Sequence, residues 1–129
     1  MGNRRPEISD ATPGFQRWTF EFGIRCVRLV ESLPKSDSAR TIGRQLLRSS
    51  TSVSANYRAA QRGRSRADFI AKMGIVEEEC DESLYWIDVL VELGLCKQQP
   101  EEPFRQEADE IISVTVALVK SGRQNSRQQ

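Results

Sequence analysis

Five arginines, Arg40, Arg44, Arg48, Arg58 and Arg62, recur between residues 38 and 62 at spacings that return to one side of a helix. At 100° per residue they fall within about 80° of arc, and Ile42, Leu46, Val53, Tyr57 and Ala60 fall on the opposite side. A guanidinium is planar, permanently charged and forked, so it grips a phosphate through two parallel N–H donors. The chemistry on offer is therefore anion recognition, with the phosphate backbone of RNA or DNA as the natural ligand. Arg64 and Arg66 extend the cluster across the following turn, and the stripe contains no acid to neutralise it. Two readings compete with this one. The face is simply solvated, or it is paired with Glu77, Glu78, Glu79, Asp81 and Glu82 of this chain or of a neighbouring subunit.

Catalytic chemistry finds little support. The chain has no histidine, which removes the commonest general base, the commonest transition-metal ligand and every Ser-His or Cys-His nucleophile pair. It also removes the Glu-x-x-His sets that turn helical bundles into di-iron sites. Ser49 and Ser50 have no base beside them, and no glycine-rich phosphate loop is present. Cys26, Cys80 and Cys96 are odd in number and lack CxxC spacing; Cys26 and Cys80 continue apolar stripes, which makes them reduced core residues. The expectation is a protein that is not an enzyme and uses no cofactor and no metal.

The elements that must position the arginines follow from periodicity. Residues 1–14 hold Gly2, Pro6, Pro13 and Gly14 with Ile8 as the single aliphatic residue, and read as a disordered N-terminal tail. Phe15, Trp18, Phe22, Cys26, Leu29 and Leu33 step by three and four and define a first helix ended by Pro34. A second runs from about Ser38 to Arg62, capped by Asp37 or Ser38 and closed by Gly63. The third, starting at Ser65 or Asp68, carries Phe69, Met73, Val76, Cys80, Leu84, Ile87 and Val91 on one stripe and stops at Gly94. After a connector at Gln98, Gln99 and Pro100, a fourth uses Phe104, Ala108, Ile111, Thr115 and Leu118 and ends near Gly122. Residues 122–129 form a polar C-terminal tail. No segment alternates as a strand does, so the fold class is all-α, with residues 15–121 forming an up-down-up-down four-helix bundle.

A chain of 129 residues with 38% hydrophobic content suffices for one modest core. Its net charge of +1 hides an asymmetry: residues 1–66 carry 13 Lys and Arg against 5 Asp and Glu, and residues 67–129 carry 6 against 13. The halves are thus +8 and −7, a split that suits internal or intersubunit complementarity as well as a basic binding face. No apolar run is long enough for a membrane span, and the N-terminus lacks a signal-peptide core. A soluble, cytoplasmic protein with no membrane partner is expected.

Two further features bear on partners. The third helix carries a second apolar set, Ile75, Trp86, Val89 and Leu93, away from its main stripe. This set either covers the bundle's flank or forms a subunit interface, in which Trp is a favoured anchor. The run Arg48-Ser49-Ser50-Thr51-Ser52-Val53-Ser54-Ala55-Asn56 is built of mediocre helix formers, so packing must hold it helical, with small side chains admitting a neighbouring helix. Asn56 is expected to tie two helices by a core hydrogen bond.

The stretch Gln45 to Tyr57, followed by Arg64-Ser65-Arg66-Ala67-Asp68-Phe69-Ile70, resembles a bacterial family of small four-helix bundle proteins first noticed as reading frames inside intervening sequences of 23S rRNA genes. The accessory variability proteins of diversity-generating retroelements are similar. The shared pattern is Gln-Leu-x-Arg-x-x-x-Ser-x-x-x-Asn, one turn before Ser-x-x-x-Phe, and the resemblance covers roughly Phe15 to Val119. It implies a ring-like homo-oligomer, often a pentamer, and in the retroelement branch a basic barrel that binds nucleic acid and a reverse transcriptase. Many relatives have Pro-Ala-Asn-Ile-x-Glu where this chain has Ser54-Ala55-Asn56-Tyr57-Arg58-Ala59, so an acid common there is absent and the face is more basic. The resemblance names no catalytic residues. The leading expectation is a non-enzymatic, oligomeric nucleic-acid binder; the alternative is a scaffold or adaptor for a protein partner.

Overall fold

The computed structural model describes residues 11–96 and 101–128, with side chains described over 14–96 and 104–123. Helix α1 (Ala11–Glu31) is followed by α2 (Asp37–Gln61), α3 (Arg66–Glu92) and α4 (Glu101–Gln128). Pro13 and Pro103 each fall in the first turn of a helix, where a missing N–H costs no intrahelical bond. Phe15, Trp18, Phe22, Cys26 and Leu29 are all buried, as their spacing requires, and Pro34 follows the last turn of α1. The cap of α2 is Ser36, ahead of the expected Asp37 or Ser38: its Oγ accepts from the Ala39 N–H at 3.2 Å. Asp37 instead places its charge in the first turn, where the helix dipole favours an acid.

The junctions around α3 are fixed chemically. Ser65 Oγ accepts from Asp68 N at 3.1 Å, and Asp68 Oδ2 reaches back to accept from Arg64 N at 3.2 Å. At the other end Gly94 adopts φ 68°, its N–H bonds Val91 O at 2.9 Å and the Leu95 N–H bonds Leu90 O at 3.0 Å, the αL cap that only glycine adopts without strain. Two boundaries differ from the sequence reading. α1 begins at Ala11, ahead of Phe15, and α4 continues through Gly122 to Gln128. Gly122 is buried, and a Cβ there would lie 3.5 Å from Ile70 and 3.6 Å from Phe69, so its small size serves packing on α3 and does not end the helix. Residues 1–10 of the expected tail, and 97–100 of the expected connector, lie outside the described residues.

Consecutive helices pack antiparallel. Phe15 meets Tyr57 edge-on at 4.9 Å between centroids at one end of the α1/α2 pair, and Val30 and Leu33 lie over Gly43 at the other. Between them Gly23 sits against the serine-rich part of α2, where an added Cβ would be 3.1 Å from the Ser50 carbonyl oxygen. On the opposite flank Ser83 Oγ of α3 lies 2.9 Å from Ser49 Oγ, both side chains buried. Each of these hydroxyls also approaches a carbonyl of its own helix, Ser49 that of Leu46 and Ser83 that of Glu79, so the pair is satisfied whichever donates to the other. The small side chains thus admit two neighbouring helices at once. Asn56 does not supply the expected tie: its Nδ2 donates to Ser52 O of its own helix at 2.8 Å, and the Ser49/Ser83 pair takes that role.

α1 and α4 close the bundle through long side chains. Phe22 meets Phe104 at 6.3 Å, and the buried Glu107 accepts from Trp18 Nε1 at 2.8 Å and pairs with Arg25. Among the described residues no helix is long and apolar enough to cross a membrane.

Mutational expectations at three positions follow from this packing. Gly23→Val should cost about 1–3 kcal/mol because its methyls meet a backbone carbonyl. Gly74→Ala, inside α3 with nothing within 4 Å of the new Cβ, should add about 0.5–1 kcal/mol; urea unfolding followed by circular dichroism reads both. Glu107→Ala should cost about 1.5–3 kcal/mol by stranding the Trp18 N–H, and Glu107→Gln, which keeps an acceptor there, less. Equal losses for the two variants would mean that the charge, and not the acceptor, closes α1 on α4.

Candidate nucleic-acid interface

Because α2 is packed on both flanks, only its outer face reaches solvent, and Arg40, Arg44, Arg48, Arg58 and Arg62 are all exposed there. They form two groups. Arg40, Arg44 and Arg48 lie on the first half of α2, Arg58 and Arg62 at its end, and the exposed small residues Thr51 and Ala55 lie between. At about 1.5 Å rise per residue the gap from Arg48 to Arg58 is roughly 15 Å.

The two edges of the stripe differ in electrostatics. On the α3 side Arg48 donates to Glu82 Oε2 at 2.7 Å and Glu79 Oε2 at 3.4 Å, so two carboxylates of the same chain hold one guanidinium. Those acids raise the Arg48 pKa, Glu82 contributing most. Glu82 also accepts from Trp86 Nε1 at 3.1 Å; that bond and the one from Arg48 hold its carboxyl below the ordinary glutamate range. Elsewhere pairing is sparse. Arg40 meets Asp37 at 3.3 Å one turn away, but both are exposed, and such pairs contribute little. Arg44, Arg58 and Arg62 have no acid partner among the described residues.

The turn beyond α2 separates the last two candidates. Arg64 is exposed beside the arginine-bearing end of α2, with Asp68 nearby, although Asp68 is chiefly occupied by Lys72 at 2.8 Å, which lowers its pKa. Arg66 is half-buried and borders a hollow formed with Phe69 of α3 and Leu118 and Gly122 of α4, round the corner from the stripe. The structure therefore gathers Arg40, Arg44, Arg58, Arg62 and Arg64 as available cations, commits Arg48 internally and sets Arg66 apart.

The second apolar set of α3 is divided. Trp86 is half-buried and packs on the core, Val89 is half-buried, and Ile75 and Leu93 are exposed at 40% and 54%. Sequence reasoning passed over two exposed aromatics, Tyr85 at 58%, whose ring meets Trp86 at 4.9 Å, and Phe20 at 48% on α1. Both fall off the buried stripe of their helix, and that offset was the available signal.

The two buried cysteines lie away from the basic face. Cys26 and Cys80 are buried thiols; burial pushes Cys26 up to about 12 and raises Cys80 as well, so neither supplies a thiolate near neutral pH.

The carboxylate pin between α2 and α3 has a defined pH response. Since the Glu82 pKa is depressed in the fold, its contribution is present above the unfolded glutamate pKa and is lost as pH falls through the lower folded one. Trp86 emission should hold steady as pH falls through the ordinary glutamate range and shift only below it. Glu82→Gln should remove that step, and Glu107→Gln should leave it in place.

A solved structure of a protein of unknown function from the S23 ribosomal protein family of Bacteroides thetaiotaomicron is similar, with a TM-score of 0.76 and 31% identity over 81% of this chain and 97% of that one. No curated protein matches the chain. The family model for 23S rRNA-intervening sequence proteins matches residues 15–117, from the first buried aromatic of α1 into α4. The chain belongs to the family of 23S rRNA-intervening sequence proteins.

Proposed function

We propose that this protein is a non-enzymatic, oligomeric bundle that binds the phosphate backbone of RNA or DNA through the outer face of α2. The observation that carries the reading is the set of exposed guanidinium groups along one helix, of which Arg44, Arg58 and Arg62 lack any acid partner among the described residues. Arg40 and Arg64 complete the contact surface. Arg48 sits on its edge as a structural pin, and Arg66 lies outside it. Recognition of this kind is electrostatic and weakly selective in sequence, because phosphate contacts position a nucleic acid without reading its bases. Recurrence of the stripe on each subunit of an assembly, with the exposed end of α3 as the subunit contact, multiplies modest contacts into useful affinity.

One observation favours the scaffold reading. The Glu79 and Glu82 carboxylates already satisfy one arginine of the stripe within the chain, as a purely structural charge pattern would. A single titration separates the two. Binding to single-stranded RNA and duplex DNA at several salt concentrations should give a log-log slope of roughly −3.5 on single strands and −4.5 on duplex if five phosphates are engaged per chain. Arg44→Glu with Arg62→Glu should abolish binding at moderate salt and leave the sedimentation mass unchanged. Absence of binding at low salt, or loss of the assembly in the double variant, would favour the scaffold.

A further inference from the structure

We infer that Phe20 is a stacking platform for an unpaired base, which makes the ligand of this face single-stranded nucleic acid. The inference rests on the phosphate-binding reading above and deepens it. Phe20 lies on the outer side of α1 with 48% of its surface exposed, in a helix that buries Phe15, Trp18 and Phe22. It is not isolated. The Arg17 guanidinium carbon lies 5.8 Å from the centre of its ring, and Phe20 forms the wall of an open cavity of about 410 Å³ whose other side is α2, with Gln16, Arg17, Ser54 and Arg58 completing the lining. Arg58 belongs both to this groove and to the arginine stripe, so the stripe opens at its α1 edge onto an aromatic surface. On the other flank of Phe20 a second open groove is bordered by Ile24, Arg25 and Arg28.

The groove offers one π face between cations, with Gln16 and Ser54 as neutral hydrogen-bonding groups. That combination matches a nucleotide whose base is unstacked and whose flanking phosphates need positive charge. A duplex does not fit the same demand, because its bases are already stacked on one another and present only their edges in the grooves. Charge supports the assignment. Arg58 and Arg28 have no acid partner among the described residues, and Glu21, the acid among the described residues lining the two grooves, is held by Arg17 at 3.0 Å. A second copy of this chain is the other occupant that an exposed phenylalanine admits, but Arg28 and Arg58, unmatched by acids on either side of the ring, disfavour a contact with their own copies.

The test compares wild type, Phe20→Ala and Phe20→Trp on three probes at fixed salt: a short oligouridylate, a single strand of equal length with abasic sites throughout, and duplex DNA. Phe20→Ala should weaken the oligouridylate by roughly 5- to 150-fold, the range for one lost base stack, with no change on duplex or abasic strand and no change in salt slope. Phe20→Trp should restore binding and show emission quenched by the oligouridylate and not by the abasic strand. Unchanged affinity of Phe20→Ala for the oligouridylate, or a fall equal on all three probes, overturns the stacking role while leaving phosphate binding intact. A change of sedimentation mass in Phe20→Ala assigns the residue to a subunit contact and also overturns it. Failure of wild type to bind any probe is the separate failure of the phosphate-binding reading.

Discussion

The bundle depends on how closely α2 can be approached from both sides at its middle. Gly23 of α1 lies against the Ser50 carbonyl, and Ser83 of α3 meets Ser49 across the opposite flank. Any larger side chain at these positions would hold one neighbour away, and the buried ring of aromatics and aliphatics around Leu46 and Val53 would lose its contacts. The cost of that arrangement is a stretch of poor helix formers, and it is offset locally: Thr51, Ser52 and Asn56 each bond a carbonyl one turn back, so their polar groups do not compete for non-helical structure. The same double approach leaves α2 a single face for solvent. The arginines are therefore concentrated on that face by packing geometry.

That geometry also resolves the charge asymmetry between the two halves of the chain. An antiparallel α3 brings Glu79 and Glu82 level with Arg48 and with no other arginine of the stripe. Internal complementarity is thus a set of local devices: Arg48 with Glu79 and Glu82 fixes α2 against α3 and, through Glu82, orients Trp86, and Arg25 with Glu107 joins α1 to α4. It does not extend to the ends of α2. The excess positive charge of the first half of the sequence consequently survives as exposed guanidinium groups on either side of the pin, and that residue of unmatched charge makes an anionic partner the economical reading.

Much of the fold was legible because each helix keeps one period. Phe15 to Leu29, Leu46 to Ala60 and Met73 to Ile87 repeat at three and four, and Pro34 and Gly94 interrupt the pattern with chemistry that permits one outcome. The ambiguous glycine was Gly122, whose burial against Phe69 and Ile70 depends on a helix more than fifty residues earlier in the chain, so no local pattern distinguishes it from a stop. The candidate site was half legible. Periodicity alone places Arg40, Arg44, Arg48, Arg58 and Arg62 on one face, but which of them is engaged depends on helix register across an interface. Ser36 against Asp37 as the cap of α2 is a simpler miss: two adjacent residues of equal capping ability differ only in which one starts the turn.

The apolar surface of α3 constrains how such a face could be presented. Part of it is consumed within the chain, since Trp86 packs on the core and spends its N–H on Glu82. Ile75 lies eleven residues from Trp86, roughly 16 Å along the axis, with Glu78, Glu79 and Glu82 between, so it does not join one continuous patch. What remains contiguous is Tyr85, Val89 and Leu93, at the end of α3 that leads to Gly94. A contact made there lies on the far side of the Arg48 pin from Arg58 and Phe20, which open toward α1. A two-fold assembly through this patch alone would leave the α1 edge of the arginine stripe open on both copies.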